Sequence, residues 1–188
     1  MKKLFLFLMM LFACNVLHAQ SIISDEVTSD GLRMVIGETV AARDLKDKQV
    51  FFVGLSALQK DSIEIWMLSV KVIEWGAYRI NKGNILLLKT MNDEVIQLQA
   101  DGDYDATVRN VHIEPFVYSD YSVTAHYPIT KEDILKLCGG VKKIRQEVSL
   151  GETHDKDYKK DKIGAILTTE VNLLSNALKE KKSIYDGF

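Results

Sequence analysis

The chain has 188 residues, of which 47% are apolar and 27% are charged, and its formal net charge is −2. This composition is typical of one globular domain with a sizeable core, and it excludes a disordered, collagen-like or disulfide-rich protein. The mildly acidic balance argues against nucleic acid as a partner, because that kind of binding depends on neutralising phosphates.

The first nineteen residues have the organisation of a signal peptide. Lys2 and Lys3 form a short basic segment, and Leu4 to Ala13 is an unbroken apolar run of ten residues. Such a run is too short to cross a hydrocarbon core of about 30 Å as a helix. We therefore predict that residues 1–19 direct export and that the protein is periplasmic or secreted.

Two processing routes are compatible with this segment. Cleavage after Ala19 is the preferred interpretation, and it would leave Cys138 as the only cysteine, so that no disulfide could form within the chain. In the alternative, residues 11–14 resemble the lipobox of bacterial lipoproteins, and Cys14 would carry a lipid anchor in the cell envelope. No later apolar run approaches the length of a transmembrane helix.

After the signal peptide, the sequence predicts a flexible leader over residues 20–30 and one α+β domain over residues 31–188. Alternating and β-branched segments separated by turn residues predict an antiparallel sheet or sandwich of about seven to eight strands. The predicted strands are 32–42, 49–58, 62–75, 78–90 with an interruption at 82–84, 94–100, 106–118, 121–127 and 141–148.

Three of these strands contain segments without polar alternation: residues 50–53, 65–68 and 85–88. A strand that is apolar on both faces is expected to be covered on both faces. A long C-terminal helix, predicted at about 157–182, is one candidate cover, because its apolar residues from Ile163 to Leu178 recur in steps of three and four. A short helix is predicted from Lys131 to Leu137, with Thr130 as its N-cap and Gly139 at its end.

Residues 127–135, residues 140–145 and the terminal segment 184–188 are similar to a family of small, exported, β-rich bacterial proteins that is uncharacterised. This resemblance implies an exported α+β domain. It assigns no catalytic residue to the chain.

The sharpest cluster of potential metal ligands is Asp101, Asp103 and Asp105. Carboxylates at alternate positions begin the calcium-binding loop of an EF-hand. The remainder of that loop pattern is missing, because Ala106 stands where the sharp turn needs glycine. The alternative interpretation is a polar loop between strands, in which aspartate favours the turn.

His112 and His126 form a second candidate metal site. A hairpin loop over residues 118–120 would place the two histidines directly opposite each other on neighbouring strands. Two such imidazoles could bind Zn²⁺ with Glu114 as a third ligand. The alternative is a solvated polar face on which the two histidines have no special role.

Trp75, Tyr118 and Tyr121 are candidate ligand-binding residues, because aromatic rings at strand ends can form a platform for a sugar. The sequence contains no motif of a known nucleophile, metalloprotease or nucleotide-binding loop, and it predicts no cofactor and no catalytic residue. We therefore expect a non-catalytic binding or structural module of the envelope or periplasm, with a protein, a glycan or a lipid as its partner. The alternative is a hydrolase or metal-dependent enzyme that uses scattered Asp, Glu and His residues.

Overall fold

The computed structural model describes residues 20–43, 50–74, 76–112, 118–180 and 182–183. Within these ranges the chain forms thirteen strands and two helices, which agrees with the predicted β-rich α+β class. The strands are β1 (Ile22–Val27), β2 (Arg33–Gly37), β3 (Val40–Ala42), β4 (Val50–Lys60), β5 (Ile63–Glu74), β6 (Arg79–Ile80), β7 (Ile85–Thr90), β8 (Val95–Gln99), β9 (Tyr104–Asp105), β10 (Thr107–His112), β11 (Tyr118–Ile129), β12 (Val141–Glu147) and β13 (Thr153–Asp157). The helices are α1 (Lys131–Cys138) and α2 (Ile163–Lys179), and a 3₁₀ turn covers Ser149–Gly151.

The described strands form two sheets and a short ladder, and all of their pairings are antiparallel. The large sheet has the order β1-β2-β4-β5-β11-β10, with β3 paired to β4 beyond the end of β2. The small sheet has the order β13-β12-β7-β8, and β6 pairs with β9. The sheets curl and do not clearly form the predicted sandwich.

The predicted flexible leader is wrong over most of its length, because Ile22–Val27 forms β1. This strand pairs with β2, with Asp25 opposite Val35 and Val27 opposite Arg33. The connection between them contains Gly31, which has a φ of 80°. A glycine adopts this left-handed conformation without the steric cost that other residues meet, so it allows the tight turn.

Several strand boundaries also differ from the predicted ones. The predicted strand 32–42 divides into β2 and β3, while the interruption expected at residues 82–84 is confirmed between β6 and β7. Strand β13 was not predicted, because Thr153–Asp157 is almost entirely polar. It is held to β12, the preceding strand, by antiparallel pairing and by two hydrogen bonds of 2.7 Å and 2.6 Å that Arg145 donates to Asp155.

The two predicted helices are present. In α1, the Thr130 hydroxyl accepts a hydrogen bond of 3.1 Å from the backbone N–H of Asp133, and Gly139 is the C-cap, as expected. Helix α2 begins at Ile163, later than predicted, because residues up to Asp157 belong to β13. The carboxylate of Asp161 accepts hydrogen bonds of 2.9 Å and 3.1 Å from the backbone N–H groups of Gly164 and Ala165, which satisfies donors at the helix start.

Helix α2 packs on one face of the large sheet, which we call the inner face. Its buried apolar residues include Ile163, Leu167 and Leu174, which belong to the predicted stripe. Strands β4 and β5 contribute alternate buried side chains to the same core: Phe51, Val53, Leu55, Ala57, Trp66, Leu68, Val70 and Val72. Helix α1 contacts α2 and β7. None of the described helices has the length and apolar character needed to cross a membrane.

The expectation that the apolar strands are covered on both faces is wrong for the described part of the chain. On the opposite, outer face of the large sheet, Phe52 is only partly buried and Ile65 is 49% exposed. Leu87 is likewise only partly buried on the outside of the small sheet. Helix α2 contacts β2, β3 and β4 from the inner face, and no described helix packs on the outer face of β4 and β5.

Candidate functional site

The predicted calcium loop is tied to the rest of the fold by ion pairs. Arg79 lies 3.6 Å from the Asp103 carboxylate and 3.2 Å from that of Asp105, and the backbone N–H of Lys82 donates a hydrogen bond of 2.7 Å to Asp103. The Tyr104 hydroxyl donates a hydrogen bond to the Asp101 carboxylate. These contacts occupy the three carboxylates and connect the loop to β6. Within the described ranges, no group of three or more His, Cys, Asp or Glu side chains is arranged to hold a metal ion.

The predicted opposition of His112 and His126 is wrong. In the β10–β11 hairpin, His112 is paired with Tyr118, and Thr107 is paired with Ser122. The reason is that residues 118–120, which were expected to form the loop, belong to β11, which begins at Tyr118. Glu114, the proposed third zinc ligand, lies outside the described residues, and so does the side chain of His112.

His126 lies beside the aspartate loop and not beside β10. Its Nδ1 atom shares a hydrogen bond of 2.8 Å with the Ser69 hydroxyl, and its ring packs edge to face on Tyr104, with centroids 5.6 Å apart. Burial, followed by the hydrogen bond to Asp101, raises the pKa of Tyr104 above its ordinary value. The structure thus brings together one residue from each predicted metal site, His126 and Asp101, with Tyr104 between them.

The predicted aromatic platform is described only in part. Trp75 and the side chain of Tyr118 lie outside the described residues. Tyr121 is partly buried on β11, where its backbone is paired with Glu74 on one side and with Val108 on the other. The platform therefore stays a prediction.

Sequence reasoning missed a polar cluster between the two sheets. His154 Nε2 lies 3.0 Å from a Glu74 carboxylate oxygen, and the His154 ring packs edge to face on Tyr78, with centroids 4.6 Å apart. The Tyr78 hydroxyl donates a hydrogen bond of 3.1 Å to the carbonyl of Val72, and burial raises the pKa of Tyr78 above its ordinary value. No sequence pattern indicated this cluster, because His154 belongs to β13, the strand without alternation.

A second polar contact lies deeper in the same core. Gln146, directly opposite His154 in the β12–β13 ladder, donates a hydrogen bond of 3.0 Å to the Tyr127 hydroxyl. Both Gln146 and Tyr127 are completely buried, and this burial raises the pKa of Tyr127 to about 12. Among the described residues, Gln146 Oε1 and His154 Nδ1 have no hydrogen-bond partner. The hydrogen bond between Gln146 and Tyr127 therefore joins β12 to β11 within the core.

Glu170 is the most unusual ionisable group in the described core. It lies on α2, it is completely buried, and its carboxyl accepts a hydrogen bond from the backbone N–H of Leu55. Burial is the main cause that raises its pKa to about 8, and the nearby charge of Glu38 adds to the shift. Through this hydrogen bond the Glu170 carboxyl joins α2 to β4.

The outer face of the large sheet carries a group of neighbouring apolar side chains near the β4–β5 turn. Leu58 on β4 is paired with Met34 on β2 and with Ile65 on β5, so these three side chains form one row. Ile36 on β2 and Met67 on β5 form a second row, in which each is paired with Ser56 on β4. We call this surface the outer patch, and it consists of Met34, Ile36, Leu58, Ile65 and Met67. Beside it lies Ile63, which is 65% exposed. The side chains are neighbours because residues paired across antiparallel strands lie on the same face.

Charged pairs lie near the end of the sheet that carries the outer patch. Lys60 lies 2.9 Å from Asp30 at the β4–β5 turn. On the opposite face, at the same end of the sheet, Lys131 lies 3.5 Å from Glu64 and 5.4 Å from the centre of the Trp66 ring. A cavity of about 480 Å³ at this end of the sheet is lined by Ile65 and Trp66, among others. An apolar centre with a polar rim is the usual organisation of a protein interface.

The chain matches no known family model, no curated protein and no solved structure.

Proposed function

We propose that this protein is an exported, non-catalytic binding module of the cell envelope that contacts a partner protein through the outer patch. The observation that carries the proposal is that Met34, Leu58 and Ile65 form one continuous apolar surface with Ile36 and Met67. These residues lie on strands that are hydrogen-bonded to one another. Scattered apolar residues on a surface are ordinary, whereas contiguous apolar patches mark interaction sites.

The chemistry of the outer patch favours a protein as the partner over a glycan or a lipid, which the sequence also leaves open. The five side chains of the patch include no aromatic ring, and a sugar is usually held by stacking on such rings. Lys60, at the edge of the patch, is paired with Asp30, so it offers little net charge to an anionic lipid surface. A second protein can cover the patch with its own apolar side chains and leave the charged rim in water.

The absence of catalysis in this proposal is supported by where two of the ionisable groups with raised pKa values lie. Glu170 and Tyr127 have strongly raised pKa values, but both side chains are completely buried. A general acid or base must come within hydrogen-bond distance of its substrate. In the described core these groups contact other parts of the protein, such as Leu55 and Gln146.

Export is supported by the basic and apolar segments that precede the described fold. Strand β1 begins at Ile22, and Ser21 already accepts a hydrogen bond of 3.0 Å from the backbone N–H of Glu38. Cleavage after Ala19 would therefore retain every described element. Acylation of Cys14 would leave a short tether before β1 and hold the domain close to a membrane surface.

The proposal is tested by placing a photo-reactive amino acid at position 65 of the full-length protein in its native host. We expect an adduct with one envelope protein, found in the exported fraction. A photo-reactive residue at Val108 is the matched control, because Val108 is also a strand residue that is 58% exposed but lies away from the patch. The adduct partner is then purified and its affinity is measured against Ile65→Lys and Val108→Lys variants.

We expect Ile65→Lys to weaken the affinity by at least about tenfold, since it places a charge in the apolar centre of the interface. Val108→Lys should bind as the unchanged protein does. Equal adducts at positions 65 and 108, or equal affinities of the two variants, would remove the patch from the binding site. An adduct found only in the cytoplasm would contradict export.

A further inference from the structure

Two of the five residues of the outer patch are methionines. Met34 on β2 belongs to the row with Leu58 and Ile65, and Met67 on β5 belongs to the row with Ile36. Both methionine side chains are only partly buried, and no described helix packs on the outer face of β4 and β5. Small molecules in the solvent can therefore reach these two side chains.

The thioether group of methionine undergoes a reaction that leucine and isoleucine cannot undergo. A peroxide oxidises the thioether to a sulfoxide. The sulfur atom loses two electrons and gains one oxygen atom, the O–O bond of the peroxide breaks, and its second oxygen leaves as water. Methionine sulfoxide reductases reverse the reaction with electrons from two thiols, which form a disulfide while the oxygen leaves as water. An apolar, flexible side chain thus becomes polar and can become apolar again.

The positions of the methionines concentrate this chemistry at the outer patch. The sequence has six methionines, and three of them lie within residues 1–19, the predicted signal peptide. Of the three that follow, only Met91 lies outside the patch. It occupies the turn between β7 and β8, it is also partly buried, and a Cβ atom placed on Gly140 would lie 2.9 Å from its Cγ atom. Met91 therefore serves as an internal reference for oxidation away from the patch.

Met34 and Met67 lie at opposite corners of the patch. They are on β2 and β5, the two strands that flank β4, and they belong to different rows. Strands about 4.8 Å apart and a rise of about 3.4 Å per residue put the two positions about 12 Å from each other. A partner that covers the whole patch must therefore cover both methionines.

We propose that Met34 and Met67 form a reversible oxidation site that controls binding at the outer patch. With both thioethers reduced, the patch is apolar and binds its partner protein. With both oxidised, the bound partner would cover polar sulfoxides that have lost their hydrogen bonds to water, so binding is weakened. This inference rests on the proposed function, in which the protein is exported and lies outside the reducing cytoplasm, where a peroxide can reach it.

The first part of the test needs no partner. The purified exported chain is treated with hydrogen peroxide, the peroxide is removed, and the sulfoxides are located by mass spectrometry of peptides. We expect oxidation of Met34 and Met67 in the folded protein. Retention on a phenyl chromatography column should fall after oxidation and recover after treatment with methionine sulfoxide reductases and a thiol. The double variant Met34→Leu and Met67→Leu should keep its own retention time after the same peroxide treatment.

The second part measures the affinity for the partner trapped at position 65, and each protein is compared with itself before and after oxidation. The affinity of the unchanged chain should fall at least about tenfold and should recover after reduction. The double leucine variant should keep its own starting affinity. Met91→Leu is the matched control and should lose as much affinity as the unchanged chain. Cys138 is present in all three proteins, so a loss that its oxidation causes would appear in all of them.

The partner should also protect the two methionines. In the complex, we expect Met34 and Met67 to oxidise more slowly than in the free chain, while the rate at Met91 stays the same, because binding and oxidation oppose each other at one surface. Equal rates at Met34 and Met67 in the free chain and in the complex would contradict the proposal.

The outcomes separate this proposal from the proposed function. Unreactive Met34 and Met67 in the folded chain, or an unchanged affinity after both are oxidised, would overturn the oxidation site, and the binding site would stand if Ile65→Lys still weakens binding. An equal loss of affinity in the double leucine variant would overturn it as well, since another residue would be responsible. If Ile65→Lys binds as the unchanged chain does, the patch is not the binding site and both proposals fail.

Discussion

The carboxyl of Glu170 on helix α2 accepts a hydrogen bond from the backbone N–H of Leu55 on strand β4. This contact lies where the large sheet is interrupted, because β2 pairs with β4 only as far as Ser56, and β3 resumes the pairing at Val53. The carboxyl therefore accepts from a backbone donor in the gap between two strands. Since an unsatisfied buried N–H group is costly, Glu170 stabilises both the gap and the docking of α2.

The raised pKa of Glu170 predicts a stability that falls as pH rises. The carboxyl has a pKa near 4.5 in the unfolded chain and about 8 in the folded protein. Between these values the folded state binds the extra proton, so this group lowers the free energy of unfolding by about 1.4 kcal/mol for each pH unit. Urea denaturation at pH 5, 6, 7 and 8 measures the effect, and the midpoint should decrease through this series.

Glu170→Gln is the control for this pH dependence. Glutamine keeps an oxygen that can accept from Leu55 but carries no charge at any of these pH values. Its denaturation midpoint should vary much less between pH 5 and pH 8 than that of the unchanged protein. If both proteins lose stability in parallel, a group other than Glu170 is responsible.

Helices α1 and α2 approach closely at Gly164, which predicts that one added methyl group at this position lowers the stability of the protein. A Cβ atom placed on Gly164 would lie 2.7 Å from the carbonyl oxygen of Leu137 and 2.8 Å from the Gly140 backbone. Gly164→Ala should therefore destabilise the protein by about 1–3 kcal/mol, although alanine favours an isolated helix. Thermal denaturation measures the loss. Asn172→Ala, at an exposed position of the same helix, should leave the stability unchanged or raise it slightly.

The packing of α2 on the large sheet predicts that replacing two different leucines lowers the free energy of unfolding by very different amounts. Leu167 on α2 is completely buried, whereas Leu135 on α1 is 60% exposed. Leu167→Ala should cost about 2–5 kcal/mol, because it removes buried methyl groups and leaves a cavity. Leu135→Ala should cost little, and chemical denaturation compares the two. Equal losses would mean that α2 is not docked as described.

The end of α2 is held by a charged network, and this predicts that lysine cannot replace Arg33. The guanidinium donates two hydrogen bonds of 2.9 Å to the Asp25 carboxylate and one of 2.6 Å to the carbonyl of Glu180. Lysine cannot form this forked arrangement, so Arg33→Lys should lower the free energy of unfolding by about 1–3 kcal/mol. Hydrogen exchange should show faster opening of the last turn of α2.

An exposed ion pair provides the control for Arg33. Lys60 pairs with Asp30 at 2.9 Å on the surface, where solvent screens the interaction. Lys60→Ala should therefore leave the unfolding midpoint unchanged. A loss as large as that of Arg33→Lys would show that the buried position of the guanidinium is not what matters.

The elements that could be predicted from the sequence are those fixed by nearby residues. The cap formed by Thr130 and the end at Gly139 define α1 within a few positions, and the stripe from Ile163 to Leu178 identifies α2. Strands β1 and β13 were missed because their own sequences are rich in polar residues, although each of them pairs with a strand that neighbours it in the chain. The His112–His126 pairing failed for another reason, since one loop length sets the whole register of the hairpin.

The candidate surface could be predicted only in part. The lack of polar alternation at residues 65–68 correctly indicates that both faces of β5 are apolar, but two apolar faces do not require two covers. Which face is covered depends on where α2 packs, and the sequence of β5 alone contains no information about that. The outer patch is the face that α2 leaves open, with Ile65 still 49% exposed.

The contact between Lys182 and Asp25 has a consequence for how the molecule assembles. Lys182 donates to the backbone carbonyl of Asp25, a residue 157 positions earlier, and its ammonium group lies 3.1 Å from the Asp25 carboxylate. Contacts between such distant residues slow folding, because a long loop must close before they form. During synthesis β2 and β4 are made long before helix α2. In that interval the surfaces of β2 and β4 that α2 later covers are exposed, and they can aggregate or bind a chaperone.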